Sequence, residues 1–256
     1  MAETYDATCI HQFNNGKVLI ESLDVRAGET VLDVGAGTGQ LGVYVAGLVG
    51  PHGRVIGVDP LAQRVEIARR KQTTGNFEAR IGCAEDLSQF PDGTFDVVYL
   101  NSVIHWLNDK PRGLAEAFRV LKSGGRFGLN TANPQHPHEI AQLVVQALRQ
   151  EGLGSGINTS NGLDTMDALR LMVTRAGFTD CQISERTIHD RHSDAEGVIE
   201  WSASSQFGNF VSSLESKDFA RFRRALVGLL EANQTESGIG LERYLIFIVA
   251  RRPGGS

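Results

Sequence analysis

Cysteine is scarce in this chain: Cys9, Cys83 and Cys181 are the only three in 256 residues, and they lie far apart. An odd, scattered set excludes a disulfide framework and a clustered zinc site, and it fits free thiols in a reducing cytoplasm. Basic runs are missing as well. With 25 Lys and Arg against 30 Asp and Glu, the net charge is −5, which argues against nucleic-acid binding as the main activity. The longest apolar stretches are only strand-length, so no transmembrane span is expected. The opening "MAETYDATCIHQFNN" lacks a basic segment followed by an apolar one, so no signal peptide is expected either. Without such a signal, the glycosylation patterns at Asn158-Thr159-Ser160 and Asn233-Gln234-Thr235 carry no weight. Internal repeats and low-complexity linkers are also lacking.

What is present is a regular alternation. The length suits one large α/β domain, or a core carrying an insertion. From Glu29 to Asn130, strand-like and helix-like segments follow one another with short joints. "TVLDVG", "GRVIGVDP", "FEARIGCAEDL", "FDVVYLNSVIHWL" and "RFGLNTAN" read as strands with their exits. "GQLGVYVAGLVG", "LAQRVEIARRKQTTG" and "PRGLAEAFRVLKSGG" read as helices, the last opening at Pro111 and stopping at Gly124-Gly125. This rhythm implies a parallel sheet with helices on both faces, and ligands at the carboxyl ends of its strands. Further on, the spacing predicts helices over 138–150 and within "LDTMDALRLMVTRAGF". "TDCQISERTI" and "GLERYLIFIVARR" read as two more strands. Residues 193–233 are mostly helical and partly aromatic, with Trp201, Phe207, Phe210, Phe219 and Phe222.

Chemistry concentrates at the strand exits. In "LDVGAGTG", Asp33 precedes Gly35, Gly37 and Gly39. Glycines so spaced let the chain turn sharply and let a ligand approach bare backbone. The pattern is neither the triphosphate loop nor the dinucleotide G-x-G-x-x-G, because the third glycine comes one residue early. An anionic Asp33 would repel a pyrophosphate but suit an ammonium or sulfonium. Asp59, ending "RVIGVD", can accept both hydroxyls of a ribose; the lesser alternative is a cap on the helix that follows. "GCAEDL" offers the backbone near Ala84 and the Glu85 carboxylate to an adenine edge, or simply forms a solvated turn. "YLNSVIHWL" brings Asn101, His105 and Trp106 out at the top of the fourth strand.

Together these segments resemble a class I S-adenosylmethionine-dependent methyltransferase, of the small-molecule group that includes the ubiquinone and menaquinone methyltransferases. "LDVGAGTG", "VDP", "AEDL", "FDVVYLNSVIHWL" and "AFRVLKSGGRF" carry the resemblance. It implies a Rossmann-like, seven-stranded, mostly parallel sheet with helices on both faces and a helical lid. It further implies that Asp33 lies near the amino-acid portion of S-adenosylmethionine, that Gly35, Gly37 and Gly39 line it, and that Asp59 holds the ribose. Pro60 or Leu61 would pack on the adenine, Ala84 and Glu85 would face its edge, and Asn101 would close the floor near the methionine moiety. Many relatives carry Asp where this chain has Cys83. A thiol accepts poorly, so that hydrogen bond must come from elsewhere, with Glu85 the candidate. Methyl transfer is an in-line displacement that needs alignment above all.

The acceptor half is less legible. "HW" at 105–106 resembles a feature of carboxyl methyltransferases, as does the segment after Tyr5, with Tyr5 and Gln12 as candidate contacts. A carboxylate needs no general base. A hydroxyl does, and His105 or His11 could serve; His105 and Trp106 could equally be packing residues. Residues 1–28 read as an N-terminal cap, 29–130 as the cofactor-binding core and 193–233 as a helical lid over a partly apolar small-molecule substrate. The expected acceptor atom is the oxygen of a carboxylate or a hydroxyl, with the carboxylate preferred. The alternatives are carbon, nitrogen, a thiol or trivalent arsenic, or a cofactor-binding protein that transfers nothing. Arsenic would want two or three converging cysteines. "HPH" at 136–138 and "HDRH" at 189–192 lack neighbouring ligands at metal spacing, so no metal is expected. No nucleic acid or membrane partner is expected, a cytoplasmic location is, and the oligomeric state is not legible.

Overall fold

The computed structural model describes residues 10–71, 75–153, 162–203 and 214–255. Tyr5, Cys9, Phe207, Phe210 and the 158–160 pattern fall outside them. The elements run α1 (Ile10–Ser22), β1 (Thr30–Val34), α2 (Gln40–Val49), β2 (Arg54–Asp59), α3 (Ala62–Arg70), β3 (Phe77–Ile81) and β4 (Phe95–Asn101). After a short 3-10 turn (Ile104–Trp106) come α4 (Lys110–Val120), β5 (Leu121–Ala132), α5 (Glu139–Gln150) and α6 (Met166–Arg175). The chain ends with β6 (Thr179–His192), α7 (Ala195–Ala203), α8 (Ser216–Glu231) and β7 (Ile239–Arg251).

The seven strands form one sheet in the order β3-β2-β1-β4-β5-β7-β6. β1 to β5 pair in parallel, and β7 runs antiparallel to both its neighbours. The sheet is therefore the mostly parallel one expected, with helices on both faces. Alternate residues of β1 sort to two cores, as the two-residue period of a strand requires. Leu32 and Val34 pack on the face of α4 and α6 with Leu114, Ala117, Leu169 and Val173. Val31 packs on the opposite face against Leu19 of α1, Leu23 just beyond it, Val45 of α2 and Val65 of α3. Local signals set the helix starts: Asp109 accepts from the Arg112 amide ahead of α4, and Thr165 accepts from the Ala168 amide ahead of α6.

Two boundaries differ from the expectation. The helix opening near Pro111 stops at Val120 rather than at the glycine pair, because Leu121 already pairs with Phe95 as the first residue of β5. Buried on the sheet, Leu121 is worth more as strand than as another helical residue. β6 and β7 are also longer than their apolar cores suggest, and "HDRH" lies inside β6. β5 pairs with β7 only from Leu245 onward. The stretch Ile239–Tyr244 therefore rises past the carboxyl edge of the parallel strands, paired with β6 alone. A third apolar cluster covers this ribbon: Ile140, Val144 and Leu148 of α5, Val198 and Trp201 of α7, and Phe222, Leu226 and Leu230 of α8, against Ile239 and Leu241.

Candidate active site

The glycine loop follows β1 at the carboxyl edge of the sheet. Gly35, Gly37 and Gly39 all have positive φ, at 76°, 56° and 78°, in the region that strains other residues. Their surroundings differ. A methyl on Gly35 would strike the Val103 side chain at 2.4 Å, and one on Gly39 would meet Ala68 and Phe77 at 2.8 and 3.0 Å. These two glycines let the loop press against the β4 exit and against the α3–β3 layer. A methyl on Gly37 would meet nothing within 4 Å. Gly37 is thus the member of the three that faces open space.

Two carboxylates flank this space. Asp59 is only 2 % exposed; its Oδ2 accepts from the Gly37 amide at 3.0 Å and its Oδ1 from the Leu61 amide at 2.9 Å. It ties the loop to the start of α3, with the Arg64 guanidinium 3.9 Å away. Each oxygen keeps a second lone pair for a ligand hydroxyl. Pro60 and Leu61 beside it are exposed, Leu61 by 51 %, which is the shelf an adenine ring could cover.

Asp33 differs. It too is 2 % exposed; its Oδ2 and the buried hydroxyl of Tyr99, at the paired position on β4, make no hydrogen bond of regular geometry, although the two groups lie close enough to influence each other's ionisation. Burial raises the Asp33 carboxyl to about 7, the Tyr99 hydroxyl tempers the rise, and the charge of Asp59 adds to it. A buried carboxylate with an unused oxygen is costly unless a cation or donor reaches it. The site can therefore take a positively charged group beside bare backbone.

The β4 exit is held by residues that the sequence did not single out. Ser102 has φ +59°, a strained value for a non-glycine residue. Its amide donates to Asn130 Oδ1 at 2.8 Å, and Asn130 Nδ2 donates to Asn101 Oδ1 at 2.8 Å. Asn130 is fully buried. Asn101 Nδ2 in turn donates to the Gln12 carbonyl at 3.1 Å, which fixes α1 across the strand ends. Gly16 makes that approach possible: a methyl there would lie 2.5 Å from Leu41 and 3.1 Å from Asn101 Nδ2. The only sequence signal was "FNNGKV", whose glycine inside a helical stretch marks a close contact.

The other expected residues are distributed as follows. Ala84 is buried. Glu85 Oε1 accepts from the Asn108 amide at 2.9 Å, so this oxygen already braces the loop beyond β4. His105 Nδ1 lies 3.0 Å from the Thr131 hydroxyl. Burial, helped by the Lys110 charge, lowers His105 to about 4, so the ring is neutral at physiological pH and a weak base. Trp106 is 55 % exposed, its ring 5.1 Å from that of His105. His11 Nδ1 is 2.5 Å from Asp190 Oδ1 on the β6–β7 ribbon.

Three further histidines have protein partners, whereas the Nε2 of His192 is buried without a hydrogen bond. His136 pairs with Glu185 at 3.0 Å and His189 with Glu242 at 3.3 Å. His138 Nδ1 accepts from the Tyr244 amide. No group of three metal-ligating side chains occurs among the described residues. Cys83 lies after β3 at one edge of the sheet, whereas Cys181 lies near the start of β6 at the other edge and the opposite end. No helix among the described residues is long and apolar enough to cross a membrane.

Residues 32–129 match the family model of a methyltransferase domain. The chain is 42 % identical to a demethylmenaquinone methyltransferase of Symbiobacterium thermophilum over 40 % of this chain and 42 % of that protein. It is 30 % identical to an arsenite methyltransferase of Halobacterium salinarum over 76 % of this chain and 48 % of that one. It thus spans less than half the length of each of these two relatives. With a trans-aconitate 2-methyltransferase of Deinococcus radiodurans the similarity runs end to end: 27 % identity over 98 % of this chain and 99 % of that protein. Among solved structures, a SAM dependent methyltransferase from Aquifex aeolicus shares the fold with a TM-score of 0.59 at 16 % identity, covering 98 % of both chains.

Proposed function

We propose that the chain is a class I S-adenosylmethionine-dependent methyltransferase, a reading supported by its match to a methyltransferase domain and its end-to-end similarity to a methyltransferase, and that it methylates a small, partly apolar metabolite at oxygen. When bound, S-adenosylmethionine supplies an activated methyl on a positively charged sulfur. The observation that carries the reading is Asp33: a buried carboxylate whose Oδ2 makes no regular hydrogen bond, set beside the open face of Gly37. A cation answers its desolvation, and a phosphate would worsen it.

In this reading Asp33 pairs with the ammonium of the methionine moiety, and the Gly35–Gly39 loop lies along it. Asp59 takes the ribose hydroxyls while keeping the loop closed through Gly37. Pro60 and Leu61 cover one adenine face, with Ala84 and the second carboxylate oxygen of Glu85 at its edge. Asn101 closes the floor, and α1 with Gln12, preceded by Tyr5, lies over the methyl end. Residues 1–28 form the cap, 29–130 the cofactor-binding core and 193–233 the lid. Trp106 lines the acceptor side from the β4 exit. A cytoplasmic location with free thiols belongs to the same reading.

The end-to-end similarity to a methyltransferase of trans-aconitate, a carboxylic acid, supports oxygen as the acceptor atom. The separation of Cys83 and Cys181 across the sheet weighs against trivalent arsenic, despite the partial similarity to arsenite methyltransferases. The test has two stages. Calorimetry should show S-adenosylhomocysteine binding to the wild type and little binding to Asp33→Asn. A screen of metabolite pools with methyl-labelled S-adenosylmethionine should then place label on the oxygen of a small molecule. Equal binding by both proteins would overturn the pocket, and label on carbon, nitrogen or arsenic would overturn the oxygen assignment.

A further inference from the structure

Above the carboxyl edge of the sheet, three elements distant in sequence bring a charged cluster together. His11 of α1 donates through Nδ1–H to Asp190 Oδ1 of β6 at 2.5 Å. Arg243 of β7 donates to the same carboxylate, its Nη2 at 3.0 Å from Oδ1 and its Nε to Oδ2. Asp190 and Arg243 are both buried, 5 % and 6 % exposed. Burial alone would raise the Asp190 carboxyl, but the hydrogen bonds from His11 and Arg243 outweigh it and hold the group at about 2. Trp201 meets the His11 ring edge-on at 5.2 Å, and the His192 ring lies at 5.5 Å. The imidazole is therefore oriented by an ionised carboxylate and packed against two rings that also touch each other at 5.1 Å.

This orientation has a chemical consequence. A histidine that donates from Nδ1 to a carboxylate keeps the Nε2 lone pair as its basic atom. Among the described residues, no partner is recorded for His11 Nε2. The His11 side chain stays 20 % exposed, so a small molecule can reach it. The next residue, Gln12, is the one whose carbonyl is bonded by Asn101. The dyad thus stands one residue from the contact that holds α1 over the site. His105, the other candidate, is half-buried, bonded to the Thr131 hydroxyl and lowered to about 4 by desolvation and the Lys110 charge, which makes it a weak proton acceptor.

Building on the methyltransferase reading, we infer that His11, oriented by Asp190, is the general base of this enzyme, and that its acceptor is a hydroxyl compound of the phenol or enol class. As the oxygen–methyl bond forms, the carbon–sulfur bond breaks and its electron pair stays on sulfur. The hydroxyl proton passes to His11 Nε2 and from there to solvent. Asp190 is a positioning residue that fixes the tautomer and stabilises the imidazolium. Arg243 keeps Asp190 ionised and in place. A carboxylate acceptor would leave this dyad without a task, since it is nucleophilic already.

The test compares wild type, His11→Gln and Asp190→Asn on para-substituted phenols that run from phenol itself to 4-nitrophenol. His11→Gln leaves the buried Asp190–Arg243 pair intact, and so reports even if Asp190→Asn fails to fold. S-adenosylhomocysteine affinity should be unchanged in His11→Gln. For phenol, kcat should fall by roughly 10²–10⁴-fold with little change in KM; for 4-nitrophenol, largely ionised near neutral pH, the loss should shrink towards nothing. Asp190→Asn should follow the same pattern more weakly. Equal losses across the phenols, or transfer to carboxylic acids alone, would overturn the inference. So would the absence of transfer to any phenol by a wild type that binds the cofactor. A wild type that binds no S-adenosylhomocysteine would instead overturn the methyltransferase pocket on which the inference rests.

Discussion

The amide of Gly37 donates to Asp59 Oδ2 at 3.0 Å, so the open-faced glycine of the loop is latched to the carboxylate that ends β2. This bond joins the two strand exits on which a nucleoside would lie. It also makes Asp59 both brace and binding group, since its other oxygen holds the Leu61 amide at the start of α3.

Gly37→Val should show the difference between brace and pocket. The new side chain would enter the open space, at a φ of 56° that a β-branched residue resists. S-adenosylhomocysteine affinity should fall roughly hundredfold or more, about 2.8 kcal/mol or above, by calorimetry. The circular dichroism spectrum should be retained, because no neighbour is struck.

Asp33 should make both stability and binding depend on pH, with opposite signs. Its folded carboxyl is raised to about 7, whereas the unfolded chain ionises near 4. Its contribution to stability is therefore complete below about 4 and is lost as pH rises through about 7, on the order of a few kcal/mol. Urea titrations of wild type and Asp33→Asn between pH 4 and 8 should diverge accordingly, the variant gaining relative to the wild type. Binding runs the other way: a cationic ligand needs the ionised form, so affinity should tighten from pH 5.5 to 7 in the wild type and much less in the variant.

Asn130 should matter as much as the glycine loop. Asn130→Ala would leave Asn101 Oδ1 without its Asn130 donor, reduce the Ser102 amide to its longer bond with the Asn130 carbonyl at 3.2 Å, and loosen a strained turn. A loss of about 1–3 kcal/mol in urea unfolding is expected from such an unsatisfied group. Asn130→Asp should recover only part of it, because the carboxylate accepts from Ser102 but cannot donate to Asn101.

Replacing Cys9, Cys83 and Cys181 together by serine should leave methyl transfer to the organic acceptor intact. Incubation of the wild type with arsenite and S-adenosylmethionine should produce no methylated arsenic. Formation of methylarsenic that the triple variant loses would reverse the argument drawn from the positions of Cys83 and Cys181.

The sequence alone determined the alternating core, the glycine loop and the two acidic strand ends. These follow from signals a few residues long: a strand's two-residue period, a helix's apolar stripe, a glycine where φ turns positive. The late start expected for β5 and the overlong α4 were misplaced for the same reason, since the helical pattern runs on past Val120 and only the pairing of Leu121 with Phe95 stops it. Tertiary structure decided the rest. It committed a Glu85 oxygen to the Asn108 amide, lowered the ionisation of His105 by burying it, made Asn130 the brace of the β4 exit, and carried His11 to Asp190 and Arg243. A hydrogen-bond partner or a buried ionisation is set by which strands become neighbours, and that order, β3-β2-β1-β4-β5-β7-β6, joins segments remote in the chain, beyond the reach of local periodicity.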